Sequence, residues 1–163
     1  MPKTTTILGL DPGLADTGFG VITKQGYSLK FVVAGSIQTS PILSFSQRVQ
    51  EIYKEVSSLI KQYQPDIVSV EKLFFAKNVK TALAVGQARG VILLAIGQAD
   101  RQLLEFTPLQ IKQAIAASGA ASKRQVGLMV KSILCLSSVP QPDDAADALA
   151  VAITAAYFNK NLA

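Results

Sequence analysis

Four carboxylates stand out by where they fall in the chain. Asp11 ends the apolar run Thr6-Ile7-Leu8-Gly9-Leu10, Glu71 ends Ile67-Val68-Ser69-Val70, and Asp144 and Asp147 lie three apart at the head of an apolar stretch. A spacing of three places the last pair on one helix face. The chain has no histidine and one cysteine, Cys135, so four acids from three distant segments suit a hard divalent cation held by oxygen, Mg²⁺ or Mn²⁺. Two such ions about 4 Å apart stabilise the attacking and leaving oxygens of a phosphodiester and activate the attacking water. Each acid also has a structural reading. Asp143 and Asp144 suit a helix N-terminus, where carboxylates cap N–H groups or complement the dipole, and Asp11 before Pro12-Gly13 suits a turn. Glu71 and Asp147 fit such roles poorly, because an apolar strand end and an apolar helix face offer a carboxylate no local partner.

Composition narrows the chemistry further. With 163 residues, 49% apolar and 17% charged, the chain has globular composition and the length of one domain, and no linker or repeat marks a boundary within 1–163. The missing histidine excludes Ser-His-Asp and Cys-His nucleophiles, histidine general bases and HEXXH zinc sites. The lone cysteine excludes intrachain disulfides and cysteine zinc clusters, and points to a reducing compartment. Lys and Arg number 16 against 11 Asp and Glu, a net charge of +5, and nine basic residues against two acidic ones lie between Lys72 and Lys131. Setting the four candidate acids aside leaves 16 positive charges against seven negative, a balance that points to a polyanionic partner. The N-terminus lacks the apolar core of a signal peptide, and the longest strongly apolar run, Val91 to Ile96, is far shorter than the ~18 residues a bilayer requires. A cytoplasmic protein with no membrane partner is expected.

The elements that must position these residues are readable from periodicity and punctuation. Strands are expected over Thr6–Leu10, Thr17–Thr23 and Ser28–Ile37, the last two joined by a hairpin at Gln25-Gly26, with further strands over Ile67–Glu71 and Leu103–Phe106. Helices are expected over Leu43–Tyr63, Asn78–Gln98, Pro108 to about Ala117, Ser122–Leu136 and Asp143–Phe158. The class is α/β, a mixed five-stranded sheet flanked by helices. Three antiparallel strands followed by a helical crossover bring the fourth strand parallel to the first, and right-handedness allows it to lie alongside. Asp11 and Glu71 then share one edge of the sheet, where such folds place ligands. In the long helix from Asn78, Ala82, Gly86 and Gly90 recur every four residues and permit close approach, either to the sheet or to a second subunit.

These residues resemble the RuvC family of bacterial Holliday junction endonucleases. Ile7-Leu8-Gly9-Leu10-Asp11-Pro12-Gly13 with Thr17-Gly18-Phe19-Gly20 is similar to the family's opening motif, and Glu71-Lys72-Leu73-Phe74-Phe75-Ala76-Lys77-Asn78 to its second. Gly86-Gln87-Ala88-Arg89-Gly90 resembles its helix signature, and Asp144-Ala145-Ala146-Asp147-Ala148-Leu149-Ala150 its C-terminal acidic motif, all in the right order across nearly the whole chain.

The resemblance implies an RNase H-like fold and a homodimer that nicks two strands of a four-way DNA junction symmetrically, leaving 5'-phosphates. It implies two Mg²⁺ per subunit, with Mn²⁺ substituting, and a bacterial cytoplasmic partner in the RuvA-RuvB branch-migration complex. By motif position Asp11, Glu71, Asp144 and Asp147 carry the metals and the catalysis, with Asp143 an added cap or outer ligand. Phe74 matches the aromatic that stacks on bases near the crossover, although by residue type alone Phe74 and Phe75 suit a core. Lys112 and Lys123 match basic positions near the scissile phosphate, which makes Lys123 a catalytic candidate, and Lys77, Arg89 and Arg124 are candidates for DNA backbone contacts or for plain surface. Lys72 stands where an amide is expected, Pro142 precedes the acidic helix, and the chain stops soon after that helix without a basic tail.

Three other readings compete. The Asp-Pro-Gly turn also resembles the phosphate loop of actin-like ATPases and sugar kinases, which need two such domains. A YqgF-type enzyme acting on RNA fits the Phe-Phe-Ala-Lys-Asn and Asp-Ala-Ala-Asp stretches less well. A junction-binding protein with a degenerate site is opposed by the intact acids.

Overall fold

Asp11 and Glu71 act together only if their strands run side by side in one direction, and they do. Thr5–Asp11 (β1) pairs antiparallel with Asp16–Gln25 (β2), and β2 pairs antiparallel with Ser28–Gln38 (β3). Ile67–Glu71 (β4) returns parallel to β1, and Gln102–Phe106 (β5) lies parallel to β4. The sheet order is β3-β2-β1-β4-β5, the mixed five-stranded sheet anticipated above. Leu10 of β1 is in register with Val70 of β4, so Asp11 and Glu71 are the next residues on adjacent strands. The helices are Phe45–Tyr63 (α1), Val79–Gln98 (α2), Pro108–Ala116 (α3), Lys123–Ile133 (α4) and Asp143–Phe158 (α5). The computed structural model describes residues 3–73 and 79–158.

Side-chain alternation decides which face carries the acids. Ile7 joins a buried cluster with residues of α3, α4 and α5, whereas Leu8 and Leu10 join a second cluster with Val56 and Ile60 of α1 and Ala88 and Ile92 of α2. With both faces covered, β1 reads as a continuous apolar run. By the period of two, Gly9 and Asp11 fall on the face of Ile7, and Ser69 and Glu71 fall on the face of Ile67. That is the α5 face, and the Ser69 hydroxyl donates to the Val151 carbonyl of α5 at 3.3 Å.

Helix α5 is buried from Ala148 to Ala156. A helix apolar all round needs neighbours on both sides, and α5 packs against the sheet below and against α3 and α4 above. It lies close to the strands because three glycines beneath it have no side chain. A Cβ on Gly9 would come within 2.1 Å of the Ala148 carbonyl oxygen, one on Gly18 within 2.1 Å of the Asp144 carbonyl oxygen, and one on Gly20 within 2.7 Å of the Leu149 side chain. Strand glycines here serve close backbone approach. At the far end of α5 the Lys24 ammonium donates to the Ala156 carbonyl at 2.7 Å, a cation at the negative end of the dipole.

The remaining helices are bounded by local chemistry. Ser44, Thr107 and Ser122 each form a capping box, with Gln47, Gln110 and Gln125 respectively. Helix α4 stops at Ile133, three residues short of the expected Leu136. Cys135 turns left-handed at φ 53, and the Leu136 N–H donates to the Lys131 carbonyl at 2.9 Å. Leu134 is buried in the α5-side cluster, so the apolar residues that suggested more helix pack from a turn instead. By length and a mean hydropathy of 1.5, α2 has the composition of a membrane span, which no single apolar run revealed. Its Ala88, Ile92, Ala95 and Ile96 nonetheless share the buried cluster of the sheet and α1.

Because the obstacle at Gly9 is helix backbone, Gly9→Ala forces α5 off the sheet. We expect a loss of roughly 1–3 kcal/mol, the usual range for overpacking, read from the urea midpoint at unchanged m-value.

Candidate active site

Asp11 closes β1 directly opposite Gly18 of β2 in the antiparallel register. The bare Cα of Gly18 admits the first turn of α5, whose Asp144 carbonyl lies over it, and Asp147 follows three residues later on the same helix face. Ligand oxygens of Asp11, Asp144 and Asp147 lie within 4.8 Å of one another. Glu71 reaches the group from β4 and is hydrogen-bonded to Asp11. The four acids singled out in the sequence therefore meet at the end of the sheet shared by β1 and β4.

Their crowding is visible in their proton affinities. Asp11 is pushed up to about 9, first by burial and then by the Glu71 hydrogen bond and the charges of Glu71, Asp147 and Asp144. Glu71 is also raised by burial, but the hydrogen bond from Asp11 lowers it, as do Lys123 and Lys112, while Asp147 raises it. Burial raises Asp144, and the Asp16 charge adds to the effect. Asp16 itself accepts from the Gln38 side-chain amide at 3.0 Å and the Ser36 hydroxyl at 3.4 Å.

A cavity of about 240 Å³ opens beside the cluster, and its lining includes Glu71, Asp147, Lys112, Lys123 and Pro108. Helices α3 and α4 both begin here, at Pro108 and Lys123, so their electropositive N-termini add to the positive charge of the lysines. The Lys123 ammonium lies 2.9 Å from an Asp147 carboxylate oxygen. That hydrogen bond raises the Lys123 pKa against the opposing effect of burial. Arg124 and Asp143 line a neighbouring cavity of about 340 Å³ together with Lys123 and Asp147.

Arg89 is placed differently. Its guanidinium forms an ion pair with Glu105 of β5, and the two side chains are only 21% and 28% exposed. It touches a cavity that also reaches Asp11 and Glu71, but its charge is already matched by Glu105. The assignments of Phe74 and Lys77 lie outside the described residues.

The sequence reading missed Asp16, Glu105 and the seating role of Gly9, Gly18 and Gly20. The glycines carried a signal, since glycine inside an apolar strand marks close backbone approach. Asp16 and Glu105 carried none, because their partners are distant in sequence.

The donor set suits a hard cation. Three carboxylates within 4.8 Å offer only oxygen, and bringing them together costs mutual repulsion that a bound divalent ion would offset.

A mixed sheet in this order, with acids converging from its first and fourth strands and its last helix, defines an RNase H-like nuclease. The sequence profile of Crossover junction endodeoxyribonuclease RuvC matches residues 7–155. Curated relatives include the Crossover junction endodeoxyribonuclease RuvC of Brevibacillus brevis, 53% identical over 152 residues that cover 93% of this chain and 92% of that one. The protein of the same name from Caldicellulosiruptor saccharolyticus is 51% identical, covering 90% and 89% of the two chains. Among solved structures, Thermus thermophilus RuvC in complex with Holliday junction substrate matches with a TM-score of 0.90 at 35% identity, over 96% of both chains. The yeast mitochondrial Holliday junction resolvase Ydc2 shares the fold with a TM-score of 0.66 at 14% identity, over 91% of this chain and 77% of that one. The chain belongs to the RuvC family of crossover junction endodeoxyribonucleases.

The raised pKa of Asp11 has a consequence for stability. The folded state keeps a proton that the unfolded chain releases near 3.8, so without divalent ions this group's contribution falls as pH rises from about 4 to about 9. Asp11→Asn should flatten that decline and raise the metal-free thermal midpoint at pH 8 by at least ~2 °C. Scanning calorimetry in chelator across pH checks both effects.

Proposed function

We propose that this chain resolves four-way DNA junctions, hydrolysing one phosphodiester in each of two strands and leaving 5'-phosphates, with Asp11, Glu71, Asp144 and Asp147 holding two Mg²⁺ ions or, in their place, Mn²⁺. The observation that carries this reading is one cavity lined both by Glu71 and Asp147 and by Lys112 and Lys123. A phosphodiester in that cavity meets the acid cluster with its reacting atoms and the two lysines with its non-bridging oxygens. When bound, the divalent ions supply Lewis-acid stabilisation of the attacking and leaving oxygens and activation of water. The protein's part is to position and to balance charge. Strands β1 and β4 fix Asp11 and Glu71 on rigid backbone, α5 sets Asp144 and Asp147 over them, and Lys112 and Lys123 stabilise charge that develops on the phosphate. Arg124 extends the basic surface along the neighbouring cavity, and Phe74 and Lys77 are assigned to base stacking and backbone contact from their motif positions.

Symmetric cutting needs two such sites, hence a homodimer. Helix α2 supports one, because Leu83, Gln87, Gly90, Leu94 and Gly97 form an exposed stripe at alternating four- and three-residue spacing, with Leu83 at 63% and Leu94 at 54% exposure. A junction substrate places the enzyme in the bacterial cytoplasm beside the RuvA-RuvB branch-migration complex, in keeping with its bacterial relatives.

The direct test compares four-way junction, linear duplex and RNA/DNA hybrid as substrates in Mg²⁺. Paired nicks specific to the junction are expected, and preferential cutting of the hybrid would overturn the reading. Asp11→Asn should lower cleavage by at least about 10²-fold while junction binding changes little, since one electrostatic stabiliser is worth that much or more. Wild-type rates in Asp11→Asn would refute the carboxylate assignment. Replacing both Leu83 and Leu94 by Glu should shift sedimentation from dimer to monomer and abolish paired nicking.

A further inference from the structure

Lys123 is a cation at the wrong end of a helix. It is the first residue of α4, where the dipole disfavours positive charge, and the first turn of α4 contains no acid. The turn is held by the Ser122 capping box, in which the Gln125 N–H donates to the Ser122 hydroxyl at 3.2 Å and the Ser122 N–H to the Gln125 side chain at 2.7 Å. From this anchored start the ammonium contacts Asp147 at 2.9 Å, although the Lys123 side chain is 59% exposed and has solvent as an alternative. Lys112 lines the same cavity but has no ion pair among the described residues. Asp147, by contrast, is one of three acids whose oxygens converge within 4.8 Å. One member of the cation-binding set thus carries a counter-ion supplied by the protein.

An ammonium and a divalent ion compete for such an oxygen, because like charges at that separation repel strongly in a partly buried site. We propose that Lys123 is an exchangeable counter-ion of the metal centre. Its ammonium neutralises and positions Asp147 until a divalent cation takes the carboxylate, and it then turns to the phosphate in the cavity. The idea rests on the metal-dependent reading above and extends it. The lysine becomes free to engage substrate only once the acids are loaded, which ties phosphate contact to metal occupancy. The exchange is local, since Lys123 sits on an exposed helix start and needs only a rotamer change to reach the cavity lined by Lys112 and Pro108.

Mn²⁺ titration of the purified full chain by calorimetry tests this on wild type, Lys123→Gln, Lys123→Arg, Lys112→Gln and Asp11→Asn. Lys123→Gln should bind Mn²⁺ about tenfold more tightly or better, the scale of removing one nearby unit charge, while cutting junctions more slowly than wild type. Lys123→Arg, which keeps the charge, should stay within about threefold of wild type, and Lys112→Gln, which removes a charge felt by Glu71 but not paired with Asp147, should tighten binding clearly less than Lys123→Gln does. In a Mg²⁺ titration followed by NMR, the Lys123 Cε–H resonance should move to the position it holds in an Asp147→Asn variant without metal. Unchanged or weaker Mn²⁺ binding by Lys123→Gln would overturn the counter-ion role, as would equal tightening in Lys112→Gln or in Lys123→Arg, or a Lys123 resonance that ignores Mg²⁺. Failure of the underlying reading looks different, because wild type would then bind no Mn²⁺ or bind it as well as Asp11→Asn does.

Discussion

The close seating of α5 on the first two strands is the contact on which the rest depends. Gly9, Gly18 and Gly20 leave no side chain between strand and helix, so the helix backbone meets the sheet directly. Small residues along α5 let it be covered from above by α3 and α4 as well, and its burial from Ala148 to Ala156 locks its height and rotation. That rigidity carries Asp144 and Asp147 to Asp11. A helix resting on ordinary side chains would ride higher, and the carboxylates would not close to within 4.8 Å. Ser69 and Lys24 add hydrogen bonds at the middle and the end of the same helix, which tie it to β4 and β2.

The cost of this convergence is electrostatic. Burial raises the proton affinity of Asp11, Glu71 and Asp144, most of all at Asp11, where the charges of the neighbouring acids add to it. The structure answers with positive charge from another layer. Lys112 and Lys123 come from α3 and α4, which pack on α5, and the starts of both helices line the same cavity. Acids and lysines thus come largely from separate elements, and among the described residues Lys123 alone forms an ion pair with one of the four acids, Asp147. Pairing of every lysine with an acid would leave nothing for a phosphate.

The opposite face of the sheet serves a different purpose. Strand alternation that turns Asp11 and Glu71 towards α5 turns Glu105 away from it, towards α2, where it neutralises Arg89. Helix α2 buries Ala88, Ile92, Ala95 and Ile96 against the sheet and leaves Leu83 and Leu94 exposed on its outer side. Its apolar character on both sides explains why it carries the composition of a membrane span while lying against a sheet.

Much of this was written in the chain itself. Apolar runs ending in Asp11 and Glu71, the crossover order, the Asp144–Asp147 spacing and the absence of histidine together fix the sheet, its parallel pair and an oxygen-donor site, because strand period, connection handedness and ligand chemistry are local or nearly local properties. The end of α4 was misjudged because Leu134 and Leu136 continue a helical pattern while the backbone turns at Cys135. Arg89 and Lys123 look alike as basic residues in a basic stretch, yet one is matched by Glu105 and the other stands over Asp147. Asp16 gave no hint that it would press on Asp144. Partner choice for a charge depends on which distant element packing brings within a few ångströms. Residue type and spacing therefore determined which groups do the chemistry, and only the tertiary structure decided which charges are matched, which are left free and how closely the acids approach.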